Sequence, residues 1–251
     1  MTAEQHPASP ESGKSQDRKN VSGLTLLAHL ALLLIAGLIL YWPVLRNDFV
    51  YNDIAAIANN PALGSDTFVA SIFTPEGSGG AVDGGYYAPI TNLSYAIDYR
   101  LYSNPISGLV RSSGVHSTGL ILYLACCVLA YLLAALLTRR AWVALLIGAF
   151  FLVHPMHAEN VNFAASRGET LAALFVLGML LVSWARPKRV SLLVPAAALC
   201  FFMALFGMLS SPAGLAAPLL LLLVDWKRKH AQDVDMSETW GARYLPVLAA
   251  L

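Results

Sequence analysis

The first apolar stretch of the chain reads GLTLLAHLALLLIAGLILYWPVL, residues 23–45, and it contains no charged residue. As an α-helix these 23 residues would extend about 34 Å, enough to cross the hydrocarbon core of a bilayer. The stretch is too long for the apolar part of a signal peptide, and it lacks a small-residue cleavage site. We therefore expect it to remain as a membrane anchor.

Four further apolar stretches cover residues 115–138, 141–153, 170–185 and 190–224. The last would be about 52 Å long as one helix, too long for a single span at ordinary tilt. Because Ser210, Ser211 and Pro212 interrupt it, we predict a hairpin of two spans. Residues 244–251 are interpreted as the start of another span. The predicted fold is an all-α polytopic membrane protein with six complete transmembrane helices and the start of a seventh.

The composition excludes an ordinary water-soluble domain. The 251 residues are 57% hydrophobic and 12% charged, whereas soluble globular proteins carry about 25% charged residues. The 16 Lys and Arg nearly balance the 15 Asp and Glu, so no nucleic-acid partner is expected. The three cysteines, Cys126, Cys127 and Cys200, all lie in apolar stretches, where they are interpreted as packing residues.

The basic residues indicate an orientation. With the N-terminus in the cytoplasm, 12 of the 16 Lys and Arg residues fall on the cytoplasmic side, as the positive-inside rule requires. The other four, on the opposite periplasmic or lumenal face, are Arg46, Arg100, Arg111 and Arg167. Residues 1–20 are polar and are predicted to form a disordered cytoplasmic tail. Residues 21–251 would form the membrane domain, which we expect to continue past its last residue.

The extracytoplasmic loop at residues 46–114 is long enough to indicate a function of its own. It contains an Asn-Asp pair and a glycine-rich break at residues 77–85. After the break, Ile90, Leu93, Ile97 and Leu101 recur every three or four residues. That spacing predicts an amphipathic helix on the membrane surface, and a shorter one is predicted over residues 66–73. Helices that only seal the ends of the spans are the alternative.

A second polar cluster follows the short apolar stretch 141–153. His154 and His157 are three residues apart and should share a helical face near the membrane surface, where ionisable groups are functional candidates. No third ligand has suitable spacing, so no divalent metal is expected. The guanidinium of Arg167 suits a lipid phosphate, and an ion pair with Glu159 or Glu169 is the equally weighted alternative.

Three stretches carry a resemblance to a known family. They read FVYND, residues 49–53, with Asn59-Asn60-Pro61; YYAPITNLSYAIDY, residues 86–99; and HPMHAE through RGETL, residues 154–171. In this order they resemble the N-terminal part of polyprenyl-phosphate-sugar-dependent glycosyltransferases of the GT-C superfold. The nearest group is the TMTC-type protein O-mannosyltransferases. Together with the span pattern, the resemblance covers most of the chain from residue 23 to residue 226.

The resemblance implies transfer of a sugar, mannose or another hexose, from a polyprenyl-phosphate donor to a protein or lipid hydroxyl with inversion. Asp53 then matches the catalytic base, and Asn52 and Tyr87 lie beside it in the motifs. The residues that would hold the donor phosphate or support its loop are His154, His157, Glu159, Arg167 and Glu169. No metal ion is implied by this mechanism.

The chain also departs from the family pattern. Asn52 stands where a first acidic residue is usual, Ala88 where an Arg precedes the proline, and Ser211-Pro212 where a Lys-Glu pair follows the fifth span. These losses remove much of the electrostatic stabilisation that the mechanism needs. The alternative is therefore a catalytically degenerate relative that binds a lipid-linked sugar or serves as a membrane scaffold.

Overall fold

The computed structural model describes residues 22–65, 67–74, 87–104, 106–185 and 192–232. Within these ranges the regular elements are helices, and one isolated bridge joins Ser103 and Val110. The all-helical prediction is confirmed for this part of the chain. The predicted tail 1–20, the glycine-rich break 77–85 and the start of a seventh span at 244–251 lie outside the described residues.

The longer helices follow the apolar stretches of the sequence. In chain order the α-helices are α1 Gly23–Tyr41, α2 Phe68–Ser71, α3 Pro89–Tyr102, α4 Ser112–Thr138, α5 Ala141–Val153, α6 Pro155–Asn162, α7 Arg167–Ala185, α8 Leu193–Met208 and α9 Ala217–Gln232. Short 3-10 helices cover Trp42–Arg46, Pro61–Gly64, Ala164–Ser166 and Pro212–Ala216, and a π-helix covers Ile54–Ala58.

Local backbone chemistry explains where the helices end. After α4, Arg139 adopts a left-handed conformation with φ 54°, which ends the helix at a tight turn. After α5, His154 caps α6 by accepting the Met156 N–H, and Pro155 occupies the first helical position, where its missing N–H costs nothing. After α8, Ser211 accepts the Ala213 N–H and so starts the next 3-10 helix.

Six complete spans are not supported by the structure. Three helical stretches are long and apolar enough to cross a membrane, namely Gly23–Arg46, Ser112–Thr138 and Ala164–Ala185. A fourth is reached if α5 and α6, bent by 54° at His154, form one broken span. The chain is thus a membrane protein with three to four candidate spans among the described residues.

The hairpin prediction over residues 190–224 was right about the break and wrong about two full spans. The chain does break at Ser210, Ser211 and Pro212. However, α8 has 16 residues, about 24 Å, which is shorter than the bilayer core of about 30 Å. The second half of α9 is polar, with Asp225 followed by Trp226 and Lys227, so its apolar part is shorter still.

Helix α4 lies at the centre of the bundle. On one side its Tyr123, Tyr131 and neighbours pack with Leu33 of α1 and Leu152 of α5 in a first core cluster. At its other end Leu133 packs with α7, α8 and α9 in a second cluster. The hydroxyls of Tyr41 and Tyr123 both donate to the Leu152 carbonyl at 2.9 Å, which satisfies an acceptor at the end of α5.

The long loop after α1 folds against one end of this bundle, called here the loop end. It has its own core of Ile57, Leu63, Ile72, Tyr95 and neighbouring residues. The predicted helix over residues 90–101 is confirmed as α3, with Ile97 and Leu101 outward and Tyr95 and Asp98 inward. The second predicted helix, over 66–73, is reduced to the four residues of α2.

The break between α8 and α9 also lies at the loop end. The Ile90 N–H donates to the Leu209 carbonyl at 3.1 Å, and the Thr91 hydroxyl donates to the Ser210 carbonyl at 2.7 Å. Here Gly214 approaches the Gly207 backbone so closely that an added Cβ would lie 2.3 Å from its carbonyl carbon. Only glycine fits at that contact.

Candidate functional site

Asp53, the predicted base, is held inside the loop end. It caps the π-helix Ile54–Ala58, two residues after Tyr51, whose φ of 48° lies in the left-handed region. Its Oδ1 accepts the Ala165 N–H at 2.7 Å, and its Oδ2 accepts the Val50 N–H at 3.4 Å. The side chain is 0% exposed. Asp53 therefore connects the first loop to the turn before α7.

Tyr95 of α3 fixes the same turn from the other side. Its hydroxyl donates to the carbonyls of Ala164 at 3.0 Å and Ala165 at 2.9 Å. The backbone of Ala165 is therefore bound twice, at its N–H by Asp53 and at its carbonyl by Tyr95. Because both partners are fully buried, these hydrogen bonds are protected from competition with water.

Arg167 forms a buried ion pair with Asp98. Its Nη2 lies 2.6 Å from Asp98 Oδ2, and the two side chains are 1% and 2% exposed. The same nitrogen donates to the Val115 carbonyl at 2.8 Å, and the guanidinium lies 5.0 Å from the centroid of the Tyr95 ring. Oδ1 of Asp98 accepts the Thr118 hydroxyl at 2.8 Å. This network joins α3, α4 and α7 at the loop end.

The ion pair corrects the sequence interpretation of Arg167. Its partner is Asp98, whereas the two carboxylates considered from sequence, Glu159 and Glu169, are exposed. Burial raises the pKa of Asp98 above its ordinary value, and the neighbouring Arg167 cation and Thr118 hydroxyl oppose that rise. Arg167 is thus placed to hold helices together, and its guanidinium is not open to a ligand in this arrangement.

His116 lies beside this network. It follows Val115 in α4, is 1% exposed, and its ring stacks on that of Phe49 at 6.2 Å between centroids. Neither of its ring nitrogens has a hydrogen-bond partner in the described part of the chain, and the same holds for Nε of Arg167. Such atoms are costly to bury, so these two residues mark a polar spot in the core that the described residues leave incomplete.

His154, His157 and Glu159 form a separate group on α6. The histidine ring centroids are 5.6 Å apart, and His157 packs on Phe151 at 4.3 Å. Among the described residues, no hydrogen bond joins this group to Asp53 or Arg167. Nor does the described part contain three His, Cys, Asp or Glu side chains grouped to hold a metal ion.

The remaining predicted residues lie at the edge of the site. Asn52 is half-buried beside Asp53, and Glu169 is exposed in the first turn of α7, where its charge favours the helix N-terminus. Tyr87 is 43% exposed and donates its hydroxyl to the Phe73 carbonyl at 3.1 Å.

Sequence reasoning missed Tyr95, Asp98, Thr118 and His116. Tyr95 and Asp98 are three residues apart, on the face of α3 opposite its apolar stripe. A polar face on a helix at the membrane surface is usually interpreted as facing water. The signal that could have found them is the spacing of Tyr95 and Asp98, which puts a carboxylate and an aromatic hydroxyl on one face of a helix near the membrane.

Comparisons with curated proteins relate the chain to one class of enzymes, the protein O-mannosyl-transferases. It is 26% identical over 179 residues to protein O-mannosyl-transferase F38B6.6 of Caenorhabditis elegans, covering 68% of this chain and 24% of that protein. It is 28% identical over 162 residues to human TMTC3, covering 62% and 17%. It is 32% identical over 149 residues to mouse TMTC4, covering 52% and 19%.

These similarities support a relation to the TMTC-type glycosyltransferases. The chain spans no more than a quarter of the length of these relatives. No family model and no solved structure matches the chain significantly.

Proposed function

We propose that this chain forms the loop-bearing membrane part of a glycosyltransferase with the GT-C superfold. The observation that carries the proposal is the convergence of the three resembling stretches. Asp53 of the first stretch binds Ala165 of the third, and Tyr95 of the second binds the same residue. Arg167 and Asp98 then join the third stretch to the second. Residues separated in sequence by more than a hundred positions thus form one network.

In the proposed reaction, a sugar moves from polyprenyl phosphate to a hydroxyl of a protein or lipid. Asp53 takes the proton of the acceptor hydroxyl, whose oxygen attacks the anomeric carbon as the bond to phosphate breaks, with inversion. Such a step needs one general base and polar or cationic groups near the departing phosphate. The proposed donor sugar is mannose or another hexose, as the names of the relatives suggest.

Reaction at Asp53 requires that the loop open, because the carboxylate has no exposed surface. Asp53 caps the start of the π-helix Ile54–Ala58, which is five residues long. Irregular helices of this kind are frequent at functional sites. We propose that acceptor binding displaces this segment and uncovers Asp53. The site would face the periplasm or lumen, with the N-terminus in the cytoplasm.

The test of the base compares two substitutions in the same loop. Asp53→Asn keeps an oxygen that can accept the Ala165 N–H but removes the ability to take a proton. Asp48→Asn removes the charge of an exposed residue five positions earlier. In membranes containing the full-length protein and labelled polyprenyl-phosphate mannose, the first variant should lose transfer and the second should retain it. Equal transfer by Asp53→Asn and wild type would disprove the role of Asp53.

A second function is favoured by the burial of the site. Asp53 and Arg167 are 0% and 1% exposed, and both are engaged by partners inside the protein. Asn52, Ala88 and Ser211 also replace charged residues expected from the resemblance. A degenerate relative that binds a lipid-linked sugar or scaffolds a partner would fit these facts. It predicts that wild type binds polyprenyl-phosphate sugar without turnover of any donor.

A further inference from the structure

A hairpin connects α3 to α4, and its tip presents two large apolar side chains. The hairpin closes at the bridge between Ser103 and Val110. Ile106 at the tip is 96% exposed and Leu109 is 68% exposed. Side chains of this kind normally find a partner, because exposing apolar area to water is unfavourable.

Hydrogen bonds within the turn at the tip hold these side chains outward. The Asn104 side chain accepts the Ile106 N–H at 2.8 Å, and the Asn104 N–H donates to the Leu109 carbonyl at 2.9 Å. Gly108 has φ 66°, a conformation that glycine adopts without strain. The Tyr99 hydroxyl binds the Gly108 carbonyl at 3.2 Å. The backbone thus fixes the direction of Ile106 and Leu109.

The tip lies close to a candidate membrane span along the chain. The span Ser112–Thr138 begins two residues after the bridge. Six fully extended residues reach about 20 Å, and the folded hairpin reaches less. The polar zone of each leaflet is about 5–8 Å thick. Ile106 therefore lies within reach of the acyl chains, and Ile121, further along α4, is already 66% exposed on the outside of the bundle.

The charges around the tip suit a lipid surface. Residues 99–111 contain no acidic residue, and Arg111, directly before the span, is exposed. Guanidinium groups bind phosphate with good geometry. The end of α3 adds further apolar surface, since Leu101 is 67% exposed.

We propose that the tip inserts Ile106 and Leu109 at the acyl-chain boundary of the leaflet in which α4 begins. Arg111 then lies at the level of the lipid phosphates. The hairpin would anchor α3, and with it Tyr95 and Asp98, at a fixed depth. This inference does not depend on glycosyl transfer.

The native cysteines make a direct test possible. Cys126, Cys127 and Cys200 are all buried, so a cysteine introduced at the tip can be labelled selectively, with unsubstituted protein as the labelling control. The variant Ile106→Cys carries an environment-sensitive nitrobenzoxadiazole probe in the full chain. The protein is reconstituted into vesicles of phosphatidylcholine and phosphatidylglycerol. Asn59→Cys, at an exposed polar position of the same loop, is the matched control.

The probe at 106 should show blue-shifted emission, quenching by lipids with a nitroxide near the top of the acyl chain, and protection from aqueous iodide. The probe at 59 should show the reverse. Iodide quenching at 106 equal to that at 59 would overturn the proposal. Protection from both quenchers would also overturn it, since protein would then cover the tip. If Ile106→Cys does not fold, the probe is placed at Ser107→Cys on the same turn. The expected and contradicting results for emission and quenching are then the same as at position 106.

Discussion

The ion pair between Asp98 and Arg167 offers the sharpest test of the packing at the loop end. Asp98→Asn retains an acceptor for the Thr118 hydroxyl but leaves the Arg167 cation without its counter-charge. Both side chains are at most 2% exposed, so solvent does little to screen the loss. Removing one partner of a buried pair typically destabilises a protein by about 3–5 kcal/mol. We expect a loss in this range, because the partners that Arg167 keeps among the described residues are uncharged: the Val115 carbonyl, the Ser94 hydroxyl and the Tyr95 ring.

Removing the other partner, Arg167→Met, should make the stability of the protein depend on pH. It leaves Asp98 buried without its cation, and a carboxyl in that position takes up a proton instead of staying charged. The pKa of Asp98 is already raised by burial. This variant should therefore be most stable below the pKa of an unfolded Asp, about 3.9. It should lose stability as the pH rises through the folded pKa.

The assay is reversible unfolding of purified protein in mixed micelles, followed by tryptophan fluorescence, for wild type, each single variant and the double variant. The double variant should recover most of the loss, since replacing both charges avoids a buried unpaired ion. A change of less than about 0.5 kcal/mol in the free energy of unfolding of Asp98→Asn would show that the buried pair does not stabilise the fold. A double variant whose loss equals the sum of the two single losses would show the same.

Three further substitutions test other contacts in the same unfolding assay. Tyr95→Phe should cost about 1 kcal/mol, because the Ala164 and Ala165 carbonyls lose the buried hydroxyl while Ala164 keeps the Arg167 N–H; unchanged stability would contradict these two hydrogen bonds. Gly214→Ala should cost about 1–3 kcal/mol, since the added Cβ meets the Gly207 backbone. A variant as stable as wild type would show that the two backbones can separate at this contact. Tyr131→Phe removes the 3.1 Å hydrogen bond with His29 between α4 and α1; the expected loss of about 0.6 kcal/mol should vanish in a His29→Phe background.

The helical fold was predictable because long apolar stretches have few alternatives in a membrane. The stretches at 23–45 and 115–138 became α1 and α4 with small shifts of their ends. The number of spans was not predictable in the same way. Residues 190–224 are apolar on both sides of a Ser-Ser-Pro break, and in the described part of the chain the helices flanking that break are shorter than the bilayer core requires.

The candidate site was predictable only in part. The resemblance predicts Asp53, and side-chain chemistry together with the resemblance predicts Arg167; both lie at the loop end. Their partners could not be read from sequence, because the Asp53 contact is to a backbone N–H and any residue at 165 would supply it. A charged residue such as Asp98 on an amphipathic surface helix is expected to face water. Only tertiary packing turns it toward Arg167.

Transfer by the full-length protein with and without a base at position 53 tests the central claim most directly. Wild type, Asp53→Asn and Asp48→Asn would be brought to equal folded amounts and supplied with labelled polyprenyl-phosphate mannose. If Asp53 is the base, label should appear in protein or lipid acceptors for wild type and Asp48→Asn, and none should appear for Asp53→Asn. Transfer that persists undiminished in Asp53→Asn would contradict it.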